Sequence, residues 1–344
     1  MTATPADLAA VTLQLGRPGR SVHAVAHRCG CGLPDVVTTA PRLPDGTPFP
    51  TTYYLTCPRA ASVVGRLEGA GVMAEMTAEL RADPELAAGH RAAHEAYLAA
   101  RDRLGEVPET AGVSAGGMPD RVKCLHVLAA HELADGPGVN PLGARVVAQV
   151  DADGSWGGTG PCVDLVSAPL TVRRAGPADL PRYLAIRDDA ARWMLDRGID
   201  QWRPGEYDRV AAAGLAAGDL YVAELAGAVV GGVRLMGADP DVWPEAVSEP
   251  GVGYLHGLVV DRSVAGHGIG RRLLEWAADT VTAAGGSLLR LDCRASNERL
   301  RAFYPSAGFT PVDVRDVAFA FRPGGPTRLA RFQRRLDAAG GGSA

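Results

Sequence analysis

Residues 259–276 read VVDRSVAGHGIGRRLLEW. An apolar, strand-like run leads into glycines at 266, 268 and 270, and an amphipathic run follows. That order dictates a strand, a glycine loop and a helix in succession. Glycines leave loop amides bare, and a helix start adds a partial positive charge; together they form an anion site suited to phosphate. A tight turn needs one glycine, so three in alternation point to a ligand. Arg271 and Arg272 open the helix, where cations oppose its dipole unless an anion sits there.

Three phosphate-binding loops compete for this pattern. A GxxxxGK[ST] loop is excluded, because Lys123 is the only lysine of the chain. A GxGxxG dinucleotide loop meets Arg271 at its third glycine position, although Asp292 lies about twenty residues on, where a ribose-binding acid belongs. A hairpin and two helices also precede the loop, whereas a dinucleotide unit starts its domain. The third candidate is the pyrophosphate loop of acetyl-coenzyme A.

At 344 residues the chain is long enough for two cores. Residues 151–168 are rich in Gly and Asp and lack helical period, so they are read as a linker. They divide a domain at 1–150 from a second at 169–323, with a tail at 324–344. The second domain alternates strands and helices. Strands are expected at 171–176, 219–227, 228–237, 252–261 and 287–295, followed by strand-like runs in TPVDVRDV and AFAFRP. Helices are expected at 177–198, with Leu180, Leu184, Ile186, Trp193 and Leu195 as the apolar stripe, and at 207–217, 268–284 and 297–307. In the tail, TRLARFQRRLDAA has Leu329, Phe332 and Leu336 at helical spacing and is read as a docking helix before a disordered end. The fold class is α+β, in two domains.

Val259–Arg272, followed by LDCRASNERLRAFYPSAGF, resembles the GCN5-related N-acetyltransferase (GNAT) superfamily, over about Leu170–Pro323. The family loop, [Q/R]xxGx[G/A], is matched at Gly268 and Gly270, with Ala265 where Gln or Arg is usual. The resemblance implies a mixed central sheet flanked by helices and direct acetylation of an amine. It implies that Leu258, Val259 and Val260 hold the pantetheine and acetyl group through strand amides. It places the pyrophosphate on Gly266, His267, Gly268, Ile269, Gly270 and Arg271, with Asn297 as a further recurrent contact. Tyr304 stands where a tyrosine protonates the departing thiolate, although Pro305 should distort its turn. Packing for Tyr304 and an N-cap role for Asn297 are the competing readings.

An ammonium substrate must lose a proton before it attacks, and two residues suit that task. His256, on the cofactor strand, needs little pKa shift. Asp292, on the next strand, can accept the proton, bind the amine or pair with Arg290. RGIDQWRPGEY, with Gln201 and Trp202, reads as a cover over the acceptor, and Trp243 as a contact or a packing anchor. The acceptor is a small-molecule or peptide amine.

The N-terminal half has AHRCGCGLPDVV, PRLPDGTPFPTTYYLTCPR and GGMPDRVKCLHVLAAHELADGPGVNPLG. It resembles an uncharacterised bacterial domain family of unknown function over about Leu13–Val150. His27, Cys29, Cys31, Cys57, Cys124, His126 and His131 supply ligand types suited to zinc or iron, although CxC is not the CxxC of a zinc knuckle. Two further readings stay open: a metal-dependent activity in this half, and a non-catalytic acyl-CoA sensor. A net charge of −4 gives no basic field for nucleic acid. The N-terminal residues lack the pattern of a secretory signal, and no apolar run is long enough for a membrane span. A cytoplasmic protein with reduced cysteines is expected, in an oligomeric state left open.

Overall fold

The computed structural model describes residues 1–157, 160–246, 249–319 and 325–336. It divides into two units, Met1–Ser167 and Ala168–Ala344. The segment expected as a linker belongs largely to the first unit. Its start continues a helix to Asp153, and Cys162 accepts a hydrogen bond from Gln14 Nε2 at 3.2 Å.

The first unit begins with α1 (Pro5–Leu15), started by a reciprocal Thr4–Asp7 capping box. Strands β1 (Val22–Arg28), β2 (Pro34–Thr39) and β3 (Tyr53–Leu55) form an antiparallel sheet in that order. Helices α2 (Pro58–Gly69), α3 (Val72–Ala82), α4 (Pro84–Asp102), α5 (Leu125–Asp135) and α6 (Pro141–Asp153) follow. Their buried Val64, Met76, Tyr97, Leu128 and Val146 form one core with Val36 and Leu55 of the sheet.

The second unit contains β4 (Leu170–Arg174), α7 (Leu180–Leu195), α8 (Asp208–Ala217), β5 (Leu220–Leu225), β6 (Ala228–Met236) and β7 (Val252–Val260). It continues with α9 (Ile269–Ala283), β8 (Leu288–Arg294), α10 (Glu298–Ser306), β9 (Thr310–Val317) and β10 (Thr327–Arg335). The seven strands lie in the order β4-β5-β6-β7-β8-β10-β9. β7 and β8 run parallel, and every other pair is antiparallel. Neighbouring residues of β5 show how the sheet is covered. Leu220 packs with Tyr183 and Ala211 of α7 and α8, while Tyr221 meets Trp276 of α9, at 4.8 Å between ring centres. Alternation along the strand thus puts α7 and α8 on one face and α9 on the other.

Two sequence expectations are corrected here. The tail helix is the strand β10, inserted between β8 and β9. Both of its faces are covered, so no polar alternation marks it. Its buried Arg331 is neutralised by Asp313 and Glu245, which hides a strand position behind a charged residue. AFAFRP lies partly outside the described residues, as does the end expected to be disordered. On α7 the buried stripe is Tyr183, Ile186, Arg187, Ala190 and Ala191, whereas Leu195 is exposed.

Candidate active site

β7 and β8 pair only from Val252↔Leu288 to Leu255↔Leu291. Beyond Leu255 the two parallel strands separate, and the sheet opens as a wedge. β7 also carries a bulge, shown by a register shift against β6 between Gly232↔Val259 and Arg234↔His256. Gly257 sits in it with φ of +64°, and a Cβ there would lie 2.7 Å from Tyr207 Oη and 3.0 Å from Tyr183 Oη. Only glycine fits that backbone. Tyr183 Oη donates to the Gly257 carbonyl at 3.1 Å and fixes the bulge to α7.

A cavity of about 600 Å³ fills the wedge; its walls include Leu258, Val259 and Val260 of β7, Asp292 of β8 and Tyr304 of α10. His256 stands on its wall between two carboxylates. Nε2 lies 2.9 Å from Asp239 Oδ2, and Nδ1 lies 3.2 Å from Asp292 Oδ1. Burial pulls the imidazole pKa down, but hydrogen bonds to the two carboxylates outweigh it and hold the pKa well above the ordinary value. The expectation that His256 needs little shift is therefore corrected: both ring nitrogens face carboxylates, which favour its protonated form. Asp239, in the loop after β6, was not singled out in the sequence.

Tyr304 packs against the rings of Phe303, Phe309 and Phe332. Burial, then the nearby Cys293 and Asp292, push its hydroxyl pKa up, so it stays protonated. Pro305 is accommodated one residue before the end of α10, and Tyr304 still reaches the cavity. Asn297 caps α10 through Oδ1, which accepts the Leu300 amide at 3.1 Å. Its Nδ2 donates to Gln201 Oε1 at 3.1 Å, and Asp200 pairs with Arg294, so segment 200–202 is fastened beside the cavity. Gln201 and Trp202 both line it. Trp243 does not, which corrects its reading as a substrate contact. It is 2% exposed in a cluster with Tyr254 and Leu329, and Arg290 and Arg331 lie over its ring.

The glycine loop lies at the far end of β7. Gly266 and Gly268 have φ of +87° and +73°, with nothing within 4 Å of where a Cβ would be. Gly268 is the N-cap of α9 and offers no side-chain cap, so the amides of the first turn, at Ile269, Gly270 and Arg271, lack helical acceptors. Gly270 has no unusual φ. The Arg271 guanidinium turns away to the Ser306 carbonyl at 2.7 Å. The His267 amide is taken by Val264.

A family described as the acetyltransferase (GNAT) family matches residues 186–309. Over 126 residues the chain is 31% identical to the uncharacterized N-acetyltransferase YesJ of Bacillus subtilis, covering 35% of this chain and 69% of that protein. Over 150 residues it is 33% identical to the N-alpha-acetyltransferase RimI of Mycobacterium tuberculosis, covering 43% and 82%. The chain belongs to the GNAT acetyltransferase family. A solved GNAT acetyltransferase from Listeria monocytogenes superposes with a TM-score of 0.40 at 22% identity, over 51% of this chain and 99% of that one. The GNAT match falls within the second unit. The first unit matches a protein family of unknown function, DUF501, over residues 25–148.

Outside the GNAT unit, the expected metal ligands do not gather at one place. His27 Nδ1 is 2.8 Å from Asp35 Oδ1. Cys29 and Cys31 are in thiol contact, Cys31 touches Cys162, and Cys162 donates to Cys57 and lowers its pKa. Cys162 was not singled out in the sequence, since it lies beyond the cysteine-rich stretches. These four sulfurs include no three within 4.8 Å of one another. Cys124 and His126 instead join Glu68. His126 directs Nδ1 at Glu68 Oε1 and Nε2 at the Ala61 carbonyl, at 3.1 and 3.3 Å, so both nitrogens act as donors; hydrogen bonding to Cys124 and Glu68 raises its pKa to about 9. His131 is a core histidine, stacked on Tyr53 and 3.2 Å from Asp135. Among the described residues, no helix is long and apolar enough to cross a membrane.

Proposed function

We propose that the C-terminal unit transfers an acetyl group from acetyl-CoA directly to a primary amine. The observation that carries this reading is the wedge between β7 and β8, which opens onto a cavity and leaves strand backbone beyond Leu255 unpaired on that side. An extended amide-bearing arm can pair with such an edge as an added strand does. The bare amides at the start of α9 suit the pyrophosphate. Amides at Leu258, Val259 and Val260 are the candidates to stabilise the oxyanion of the tetrahedral intermediate.

The amine nitrogen attacks the thioester carbonyl carbon. A C–N bond forms, the C–S bond breaks, and the CoA thiolate leaves with a proton from Tyr304, which the second proton of the amine nitrogen then restores. Asp292 receives the substrate ammonium and passes its proton to His256 in its neutral form, while Asp239 holds the opposite ring nitrogen. An amine-panel assay of thiol release tests the reading. Tyr304→Phe is expected to spare acetyl-CoA binding and to slow transfer about a hundredfold. Unchanged transfer would remove Tyr304 from the mechanism, and an absence of thiol release with every amine would contradict the reading.

A further inference from the structure

Two side chains of opposite charge, Arg187 of α7 and Asp292 of β8, line the proposed acceptor cavity. Arg187 Nη1 is buried without a hydrogen-bond partner. Arg187 is only 5% exposed. Its guanidinium is sandwiched between two aromatic rings, 3.9 Å from the centre of Trp202 and 3.6 Å from that of Tyr207. Tyr183 is its hydrogen-bonding neighbour, and the carboxylates of Glu206 and Asp188 act on its charge without a contact ion pair among the described residues. Burial works against its charge and lowers its pKa. A buried cation without a carboxylate in contact is costly, and a bound anion would supply that contact. Asp292 is the acidic group, and its Oδ1 is ion-paired with His256 Nδ1 at 3.2 Å.

We infer that the acceptor is an amino-carboxylate, with its ammonium at Asp292 and its carboxylate at Arg187. The inference rests on the transfer reading above and narrows its substrate class. The two rings hold the guanidinium by stacking, on a residue that lines the cavity. A planar carboxylate matches a guanidinium better than a neutral group does. Two other arginines of the cavity wall, Arg234 and Arg294, already have Asp219 and Asp200 as counter-ions. Tyr183 links the two ends of the site, because it touches both Arg187 and the Gly257 carbonyl. The anchor of the acceptor is thus tied to the bulge that bends the cofactor strand.

The test compares matched ligands on the full chain: L-phenylalanine with phenethylamine, L-methionine with 3-methylthiopropylamine, and β-alanine and phosphoethanolamine as variants of anion position and type. Thiol release gives kcat/KM. Fluorescence of the tryptophans, Trp202 among them, gives binding without acetyl-CoA. At least one carboxylate-bearing amine is expected to exceed its decarboxylated partner by about a hundredfold. Arg187→Gln is expected to abolish that preference while leaving acetyl-CoA affinity within about twofold, and Arg187→Lys to restore part of it. Equal use of both partners, preference for phosphoethanolamine, or a preference that survives Arg187→Gln in a folded variant would overturn the inference. So would a lack of both binding and turnover with every carboxylate-bearing amine. Acetyl-CoA titration on the same sample separates this failure from failure of the transfer reading. The wild-type comparison stands even if the variant does not fold.

Discussion

His256 Nε2 lies 2.9 Å from Asp239 Oδ2, and this contact ties β7 to the loop after β6. With Asp292 on the other nitrogen, it holds the imidazolium form well past the pH at which a free histidine loses its proton. In the proposed transfer neutral His256 is the proton acceptor, so activity should rise with pH through an apparent pKa clearly above 6.5. Asp239→Asn removes one stabilising carboxylate and should move that limb to lower pH. A pH profile of kcat/KM for both proteins checks this; coincident limbs would exclude His256 as the titrating group.

The same shift has a consequence for stability. A folded pKa above the unfolded one stabilises the protein fully below the unfolded value, and that contribution is lost as pH rises through the folded value. The second unit should therefore lose thermal stability on the alkaline side, and Asp239→Asn should flatten that dependence. Melting curves across pH, compared for the two proteins, give the answer.

Gly257→Ala should damage the wedge from within. The added methyl meets two tyrosine hydroxyls, and alanine is strained at φ of +64°. We expect about 1–3 kcal/mol of destabilisation from the backbone alone. Transfer should fall by more than acetyl-CoA affinity does, because the bulge rather than the phosphate loop is disturbed. Urea unfolding and calorimetry on one preparation measure both quantities.

The three loop glycines should respond differently. Gly268→Val places a branched side chain at positive φ above the first amides of α9, and acetyl-CoA affinity should fall at least about tenfold. Gly270→Ala meets only ordinary contacts at 3.9 Å and sits in a helix, where alanine is favoured by up to about 1 kcal/mol. Its melting temperature should hold or rise. Equal affinity of Gly268→Val and wild type would move the phosphate site elsewhere.

Arg331→Ala tests the placement of β10. Arg331 is buried, and its guanidinium serves Asp313 at 2.7 and 2.6 Å, the Val242 carbonyl at 3.0 Å, and Glu245. Its carboxylate partners are half-exposed, so we expect a loss of about 2–3 kcal/mol rather than the larger cost of breaking a fully buried pair. A tail helix docked by Leu329 and Phe332 would lose little at this position.

The elements that were legible are those with one clear period and sharp ends. The strand–glycine–helix succession at 252–283 is one, and α10 with Asn297 at its start is another. β10 was not, because its apolar residues fit helical spacing and its arginines hide which positions are buried. Asp292 and His256 could be singled out by type and strand position, and the structure pairs them on the cavity wall. Asp239 was not, since an aspartate in a Gly/Pro-rich loop looks like turn chemistry until the loop folds against β7. Arg187 did leave a signal: it falls four residues after Tyr183, on the buried face of α7, where a charge is out of place. The cysteines and histidines of the first unit were visible as types. Their grouping depends on which loops meet, and spacing does not determine that.

The most direct test of the account is titration of the full chain with acetyl-CoA by calorimetry, with Gly268→Val as the paired sample. The account predicts saturable binding by the wild type and at least about tenfold weaker binding by the variant. Absence of binding by the wild type, or equal binding by both, would contradict it.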